Sequence, residues 1–164
     1  MNNQATDFKL KNTEGETVKL SDQKGKWIVF VFYRGSWCPA CNIQIGKLAK
    51  DYSKFKELNC GIFAISTDTP KGAKKTKEKT HTPFHILIDE DNKVIQSYEV
   101  ATKKREFKDI PALFAGKKAG SYAMPSVFII DSDGIIRYSY LGKSFTDRPS
   151  NEQIIQELKE LQES

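Results

Sequence analysis

Cysteine is scarce in this sequence, and long apolar runs are absent. Three cysteines are too few for a small domain held together by disulfides. The longest apolar run, residues 27–33, is much shorter than the ~20 residues that a membrane-spanning helix requires. The N-terminus also has no basic patch followed by an apolar segment. We therefore expect a cytoplasmic protein with no membrane partner.

The amino-acid composition is that of a single globular domain. A chain of 164 residues, 38% of them hydrophobic and 29% charged, has enough apolar side chains to bury one core. The net charge of +5 predicts a mildly basic surface and is well below that of a dedicated nucleic-acid binder. Because lysine runs such as the one at 71–79 are usually solvated faces, we expect no nucleic-acid partner.

The hydrophobic pattern of the N-terminal part predicts a hairpin, a buried strand and a helix. Apolar and polar residues alternate on both sides of Gly15, which indicates a β-hairpin. Residues 27–33 have the length and β-branching of a strand that is buried on both faces. The apolar residues from Ile45 to Phe55 recur at steps of three and four, which predicts one helix over 39–58.

Strands and helices continue to alternate along the rest of the chain. Residues 60–66 and 84–88 predict strands, and Pro70 fits the first turn of a helix between them. An antiparallel hairpin is predicted over 126–141. Because β-α-β units form parallel sheets, the centre of the sheet is predicted to be parallel.

A C-terminal helix and a basic insertion complete the predicted architecture. The capping box Ser150-x-x-Gln153 predicts a last helix, and residues at about 101–123 predict a basic insertion. The elements add up to one α/β domain over 1–164 with a thioredoxin-like fold. In that fold a central mixed sheet is flanked by helices, and the β-hairpin is an N-terminal extension.

Two of the cysteines, Cys38 and Cys41, form a C-x-x-C where a buried strand is predicted to lead into a helix. The first N–H groups of a helix lack intrahelical partners and the helix dipole is positive there, so a thiolate is stabilised. Lowering a thiol pKa from ~8.5 to ~7 requires about 2 kcal/mol, which one helix terminus can supply. The spacing also allows a disulfide. We interpret the pair as redox-active, with one sulfur attacking and the other resolving.

Two other interpretations of the pair remain open. The thiols could be buried and inert, or they could be half of a zinc site completed by Cys60, His81 or His85. A structural zinc site requires four ligands, and the sequence has no second C-x-x-C, so we expect no metal. Cys60 opens a predicted strand and is expected to be a small buried hydrophobic residue.

Three residues near the cysteines are expected to contact a substrate or partner. Pro39 suits the first helical position and stiffens the bridge between the thiols. Trp37 is expected to be exposed beside the sulfurs, as a docking surface or a lid. Pro125 immediately precedes a predicted strand, where proline is tolerated only at the start or the edge.

A family resemblance is carried by residues 32–41, Phe-Tyr-Arg-Gly-Ser-Trp-Cys-Pro-Ala-Cys, together with Lys-Leu-Ser-Asp at 19–22 and Ile-Ser-Thr-Asp at 65–68. They resemble the alkyl hydroperoxide reductase/thiol-specific antioxidant family, the peroxiredoxins. Residues 83–100 are similar to its bacterioferritin-comigratory branch, and 127–134 fit its later strands. The resemblance covers nearly the whole chain. It implies a peroxiredoxin-like fold, a thiol peroxidase without a cofactor, a thioredoxin-like dithiol reductant, and a monomer or homodimer.

The motif of the family departs from this sequence at two of three positions. The family's P-x-x-x-T-x-x-C places the peroxidatic cysteine at Cys41, the threonine at Cys38 and the proline at Arg34. The family's peroxide-orienting arginine would fall near Pro125, where this chain is similar to the cis-proline of thioredoxins. The run from Trp37 to Cys41 also resembles the W-C-x-x-C of thioredoxins. The chain is therefore most similar to a peroxiredoxin-like subgroup that carries a thioredoxin-type C-x-x-C.

The resemblance implies two mechanisms. In a peroxidase, Cys41 attacks the peroxide and becomes a sulfenic acid, Cys38 condenses with it, and Arg34 stabilises the leaving hydroxide. In a disulfide exchange enzyme, Cys38 attacks a partner disulfide and Cys41 releases the mixed intermediate. Arg148 resembles a C-terminal motif of the subgroup, and we expect it to form a salt bridge that anchors the last helix.

The function predicted from the sequence is that of a thiol-based antioxidant oxidoreductase. It would reduce hydrogen peroxide or organic hydroperoxides through the C-x-x-C pair, with an intramolecular disulfide intermediate, and a thioredoxin-like dithiol would regenerate it. The alternatives are a thioredoxin-type thiol-disulfide oxidoreductase and a zinc-binding or non-catalytic module.

Overall fold

The computed structural model describes residues 3–101 and 122–164, which form a mixed β-sheet with helices on both faces. The strands are β1 (Lys9–Asn12), β2 (Thr17–Lys19), β3 (Trp27–Phe32), β4 (Cys60–Ser66), β5 (His85–Ile88), β6 (Ser126–Ile130) and β7 (Ile136–Leu141). The helices are α1 (Pro39–Lys50), α2 (Tyr52–Glu57), α3 (Pro70–Thr80), α4 (Lys93–Ser97), α5 (Asn151–Glu163) and a 3₁₀ turn, Leu20–Gln23. Both predicted hairpins are present.

Strand β3 lies near the centre of the sheet, whose order is β2-β1-β5-β4-β3-β6-β7. Val29, Val31 and the phenylalanines between and after them are fully buried, because both faces of the strand are covered. Strands β3, β4 and β5 pair in parallel, and β6 runs antiparallel to β3. The predicted parallel centre is confirmed. The carboxyl ends of β3 and β4 therefore lie at the same edge of the sheet.

Alternate residues of the strands form two hydrophobic cores, one on each face. Val29 and Val31 belong to the core that α1 and α5 cover with residues such as Ile45 and Leu158. The other core is aromatic, and it includes the stacked rings of Phe30 and Phe63, whose centroids are 6.0 Å apart. Burial of each such large side chain contributes about 1.5–3 kcal/mol relative to exposure. The two cores therefore cover both faces of the sheet.

The helix predicted over 39–58 is divided at Asp51, so the single-helix prediction is wrong at that residue. Asp51 adopts φ −95° and ψ 7°, which interrupts the helical path. Its carboxylate accepts a hydrogen bond of 2.9 Å from Asn151 at the start of α5. The break therefore lies where tertiary structure attaches α1 to the last helix.

The predicted capping box of α5 is confirmed. The Ser150 hydroxyl accepts from the Gln153 N–H at 3.2 Å, and the Gln153 side chain accepts from the Ser150 N–H at 2.8 Å. Among the described residues, no helix combines the length and the apolar composition needed to cross a membrane.

The predicted basic insertion over 101–123 falls for the most part, at residues 102–121, outside the described residues. Its two ends lie side by side. Ala101 forms an antiparallel bridge with Ala123, and the Met124 N–H donates to the Val100 carbonyl at 2.7 Å. The chain thus enters and leaves this segment next to the start of β6.

Candidate active site

The Cys38 and Cys41 thiols lie together at the N-terminus of α1, on the loop that follows β3. Cys38 is the N-cap of the helix, and its sulfur accepts the Cys41 backbone N–H at 3.4 Å. The Cys41 thiol donates to the Cys38 sulfur, with 2.6 Å between the two sulfur atoms. Both cysteines are free and buried. The structure therefore brings the predicted redox pair into direct contact.

Arg148 reaches the two sulfurs from the segment that precedes α5. Its Nη2 lies 3.1 Å from the Cys41 sulfur and 3.8 Å from the Cys38 sulfur. Its Nη1 donates to the Gln44 amide oxygen at 2.6 Å, and its Nε donates to the Phe145 carbonyl at 3.1 Å. Within the described part of the chain, no carboxylate accepts a hydrogen bond from Arg148. The predicted salt bridge of Arg148 to the last helix is therefore wrong.

The segment that carries Arg148 is held by the start of β6 and the end of β7. The Gly142 N–H donates to the Pro125 carbonyl at 2.8 Å, and a Cβ at Gly142 would meet both that oxygen and, at 2.8 Å, the Asp147 carbonyl. The Tyr140 hydroxyl donates to the Asp147 carboxylate at 2.6 Å. Pro125 thus positions the segment with Arg148 through its carbonyl oxygen. Among the described residues no peptide bond is cis, so Pro125 differs in this respect from the thioredoxin cis-proline that it resembles in sequence.

Arg34 lies next to the thiols, on the loop between β3 and α1. Its backbone N–H donates to the Cys41 sulfur at 3.4 Å. Arg34 is 6% exposed, and its guanidinium lies over the ring of Phe145, 3.3 Å from the centroid, and over that of Trp37 at 4.7 Å. Its Nε and Nη2 have no hydrogen-bond partner among the described residues. Arg34 therefore places a buried positive charge beside both thiols, and Arg148 lies within hydrogen-bond distance of the two sulfurs.

Trp37 and Pro39 flank Cys38, and Pro39 is the more exposed of the two. Trp37 is only half exposed, because its ring packs edge-on against Tyr122 with 5.1 Å between centroids. The prediction of an exposed Trp37 is therefore wrong. Pro39 is exposed at the first position of α1, as predicted.

Asp68 is a residue of this site that sequence reasoning did not single out. Its carboxylate accepts the Ser36 N–H and the Thr69 N–H, both at 2.8 Å. Ser36 also accepts from the Asn42 side chain at 2.9 Å. Asp68 follows β4 and thereby joins the loop before Cys38 to the start of α3. The only sequence signal was the Ile-Ser-Thr-Asp run, which carried the family resemblance without a structural role.

Burial and hydrogen bonding separate the pKa values of the two thiols. The pKa of Cys38 is lowered, first by the hydrogen bond from the Cys41 thiol and then by the Cys41 N–H, Arg148 and Arg34. The pKa of Cys41 is raised because burial penalises its thiolate and because it donates to Cys38. Arg148 lies nearer to the Cys41 sulfur, but the burial of that sulfur outweighs the attraction. Within the pair, the thiolate is therefore favoured on Cys38 over Cys41.

The third cysteine takes no part in this arrangement. Cys60 is 3% exposed at the start of β4, and burial raises its pKa to about 12. Its prediction as a small buried hydrophobic residue is confirmed. Within 3–101 and 122–164, no group of three or more His, Cys, Asp or Glu side chains is arranged to hold a metal ion.

Comparison with known protein families shows which family this chain belongs to. The model of the AhpC/TSA family matches residues 1–139. The chain belongs to this family. A relative from Bacillus subtilis, named Peroxiredoxin Bcp, is 35% identical over 130 residues, which is 79% of this chain and 77% of the relative. The family resemblance seen in the sequence is confirmed, and the chain is a peroxiredoxin-like enzyme.

A plant relative is longer than this chain. Peroxiredoxin Q from the rice Oryza sativa, a chloroplastic protein, is 31% identical over 136 residues, which is 83% of this chain. The chain spans 56% of that relative.

Solved structures of two bacterial proteins have the same fold. AhpC of Enterococcus faecalis superposes with a TM-score of 0.80 over 99% of this chain and 93% of its own, at 22% identity. Peroxidoxin BcpB of Mycobacterium tuberculosis gives 0.79 over 98% of this chain and 96% of its own, at 18% identity. The predicted thioredoxin-like fold of the peroxiredoxin type is therefore confirmed.

Proposed function

We propose that this protein reduces hydrogen peroxide or organic hydroperoxides with the Cys38 and Cys41 pair, and that a thioredoxin-like dithiol regenerates the pair. One observation carries the proposal. Two free thiols are 2.6 Å apart at a helix N-terminus, with an arginine Nη2 at 3.1 Å from one of them. This arrangement supplies a nucleophile, a second thiol and a cation for the oxygen that leaves.

Cys38 is the nucleophile in this proposal. Its sulfur is the acceptor of the Cys41 thiol and of the Cys41 backbone N–H, and its pKa is lowered. Cys41 is fully buried and its pKa is raised, so it stays protonated while Cys38 is ionised. This order is the reverse of the one that the family motif implies, in which Cys41 attacks first.

The reaction proceeds in two balanced steps. The Cys38 thiolate attacks one peroxide oxygen, the O–O bond breaks, and the other oxygen leaves as water or an alcohol after taking up a proton. Cys38 is now a sulfenic acid, oxidised by two electrons. The Cys41 sulfur then attacks the Cys38 sulfur, its proton and the sulfenic hydroxide leave as water, and the disulfide forms.

Arg148 has the geometry to stabilise both steps. Its Nη2 lies within 3.8 Å of both sulfurs, so the same N–H groups are close to the oxygen that departs in either step. Gln44 and the Phe145 carbonyl hold the guanidinium in place. The buried charge of Arg34 adds to the positive field at Cys38.

The proposed function is tested by the reaction of single cysteine variants with peroxide. Reduced protein is mixed with one equivalent of hydrogen peroxide or of an organic hydroperoxide in a stopped-flow instrument, and sulfenic acid is trapped with dimedone. We expect Cys41→Ser to form a trapped sulfenic acid on Cys38, and Cys38→Ser to react no faster than free cysteine. A reduced wild-type protein that reacts no faster than free cysteine would refute the peroxidase proposal, and trapping only at Cys41 would reverse the assigned order.

A second function, thiol-disulfide exchange, is favoured by the same thiolate. A low-pKa N-cap cysteine followed three residues later by a buried thiol is the arrangement that attacks a partner disulfide and then releases it. In that reaction Cys38 would form the mixed disulfide and Cys41 would displace the partner. Reduction of insulin by catalytic amounts of the protein tests this function, and Cys41→Ser should accumulate the mixed disulfide.

A further inference from the structure

A shallow groove of about 660 Å³ runs between the outer side of α1 and the end of α3. It begins at Pro39, the residue after Cys38, and continues past Ile43 to Lys50, Lys79 and His81. We call this surface the α1–α3 face. The groove therefore starts one residue from the sulfur that the proposed mechanism oxidises and extends away from it.

The α1–α3 face exposes a large apolar side chain. Ile43 is 59% exposed, and in the described part of the chain the other large hydrophobic residue with such exposure is Leu141, at 52%. Ile43 lies two residues after Cys41 on the outer side of α1. Pro39 is exposed beside it. An apolar patch next to a reactive thiol fits a protein surface that buries it on contact.

The charge of the α1–α3 face is positive. The residues that line its groove include Lys50 and Lys79 and no Asp or Glu. The N-terminus of α1, which carries the positive end of the helix dipole, lies at the start of the groove. A partner with an acidic rim around an apolar centre is therefore complementary to this face.

We propose that the α1–α3 face is the docking surface for an acidic dithiol protein that reduces the Cys38–Cys41 disulfide. This inference rests on the proposed function, because it identifies the partner surface for regeneration of the pair. Ile43 is the apolar contact, and the two lysines guide the partner to it.

Docking on this face brings the partner thiol to Cys38. A partner thiolate attacks the Cys38 sulfur, the Cys38–Cys41 bond breaks, and Cys41 leaves as a thiolate that takes up a proton. The second thiol of the partner then attacks the partner's own sulfur in the mixed disulfide, and Cys38 leaves as a thiolate. Two electrons have passed to the pair, and the partner departs as a disulfide.

The test uses the preformed disulfide, so that it does not depend on any reaction with peroxide. The full-length protein is oxidised with diamide, and its reduction by an acidic thioredoxin is followed by tryptophan fluorescence. The same sample is reduced with dithiothreitol, and the ratio of the two second-order rate constants is the quantity compared. We expect Ile43→Ser to lower this ratio about tenfold, because an apolar contact of this size is lost.

Charge variants and matched controls complete the experiment. Replacing Lys50 and Lys79 together by glutamate should lower the ratio about tenfold and remove its decrease with added salt. Leu141→Ser removes an equally exposed apolar side chain elsewhere, and Lys159→Glu changes an exposed charge on α5. Neither control should change the ratio.

Four outcomes overturn the docking proposal. The first is the same ratio for Ile43→Ser and Leu141→Ser, and the second is a diamide-treated protein without the Cys38–Cys41 bond. The third is an Ile43→Ser protein that changes its sedimentation mass, which would make the face a contact between two copies of the chain. The fourth is a changed KM for hydroperoxide in the Ile43→Ser protein when dithiothreitol is the reductant, which would make the α1–α3 face a peroxide-binding site. Failure of the peroxidase proposal is distinguishable from these outcomes, because in that case the reduced Cys38 and Cys41 pair would not react with peroxide.

Discussion

The guanidinium Nη2 of Arg148 lies 3.1 Å from the sulfur of Cys41, although 107 residues separate them in the sequence. The Gln44 side-chain oxygen, one turn after Cys41 on α1, accepts a hydrogen bond of 2.6 Å from Nη1 of the same guanidinium. The site is therefore formed by two distant parts of the chain: the start of α1 supplies the thiols, and the segment before α5 supplies the arginine. This relationship makes Arg148 the residue whose replacement should affect the thiols most directly.

Replacement of Arg148 should slow the reaction with peroxide. We expect Arg148→Met to raise the pKa of Cys38 and to lower the rate constant for peroxide by roughly 10²-fold, since a donor to the leaving oxygen is lost. Arg148→Lys should recover part of the pKa effect but little of the rate, because an ammonium cannot contact Gln44 and the sulfur in the same fork. Stopped-flow kinetics and the pH dependence of iodoacetamide alkylation measure the two effects.

A matched arginine is available as a control for that experiment. Arg137 lies on β7 and pairs with Asp131 at 3.2 Å. Arg137→Met should leave the alkylation profile and the peroxide rate unchanged. Equal losses in the Arg137 and Arg148 variants would show that the effect comes from general destabilisation.

Replacement of Arg34 should separate reactivity from stability. Its guanidinium is buried, and two of its nitrogens lack partners in the described structure, so the native state bears a desolvation cost. We expect Arg34→Met to change the free energy of unfolding by less than about 1 kcal/mol, or to increase it. The pKa of Cys38 should rise, because a nearby positive charge is removed. Urea unfolding and alkylation kinetics test both, and a loss of several kcal/mol would contradict this account.

The lowered pKa of Cys38 should appear as a pH dependence of stability in the reduced protein. A group whose pKa is lower in the folded state stabilises that state fully above the unfolded thiol pKa, ~8.5. This stabilisation is lost as the pH falls toward the folded pKa of Cys38. We compare the free energy of unfolding of the reduced protein with that of Cys38→Ser. We expect this difference to decrease as the pH is lowered from above ~8.5 toward the folded pKa of Cys38. A difference independent of pH would contradict the assignment of the thiolate to Cys38.

Gly142 should be intolerant of a side chain. A Cβ there would collide with the Pro125 and Asp147 carbonyls, so Gly142→Ala must displace the segment that carries Arg148. We expect a loss of about 1–3 kcal/mol in unfolding free energy, together with slower alkylation of Cys38. Gly46, within α1, has open space around it, and Gly46→Ala should stabilise the protein by about 0.5–1 kcal/mol. Thermal or urea unfolding of the two variants provides the comparison.

Much of the fold could be predicted from local patterns. The alternation around Gly15, the apolar run of β3 and the capping box at Ser150 each act within a few residues, and each is present in the structure. The division of the first helix at Asp51 could not be predicted in this way, because it depends on a hydrogen bond from Asn151. The start of helix α4, in contrast, has a local cause, since its Val94 and Ile95 N–H groups donate to the buried carboxylate of Asp89, five and six residues earlier, at 3.2 Å and 2.9 Å.

The candidate site shows the same division. The sequence by itself determined that Cys38 and Cys41 lie on one face at a helix N-terminus, because three-residue spacing, a preceding buried strand and Pro39 act locally. Only the tertiary structure decided which cation lies against them and which of the two has the lowered pKa. Arg148 reaches the sulfurs through the packing of Gly142 against Pro125, and the pKa of Cys41 is raised because that thiol is buried and donates to Cys38. Both results depend on contacts between segments about a hundred residues apart or on burial, and neither leaves a periodic signal in the sequence.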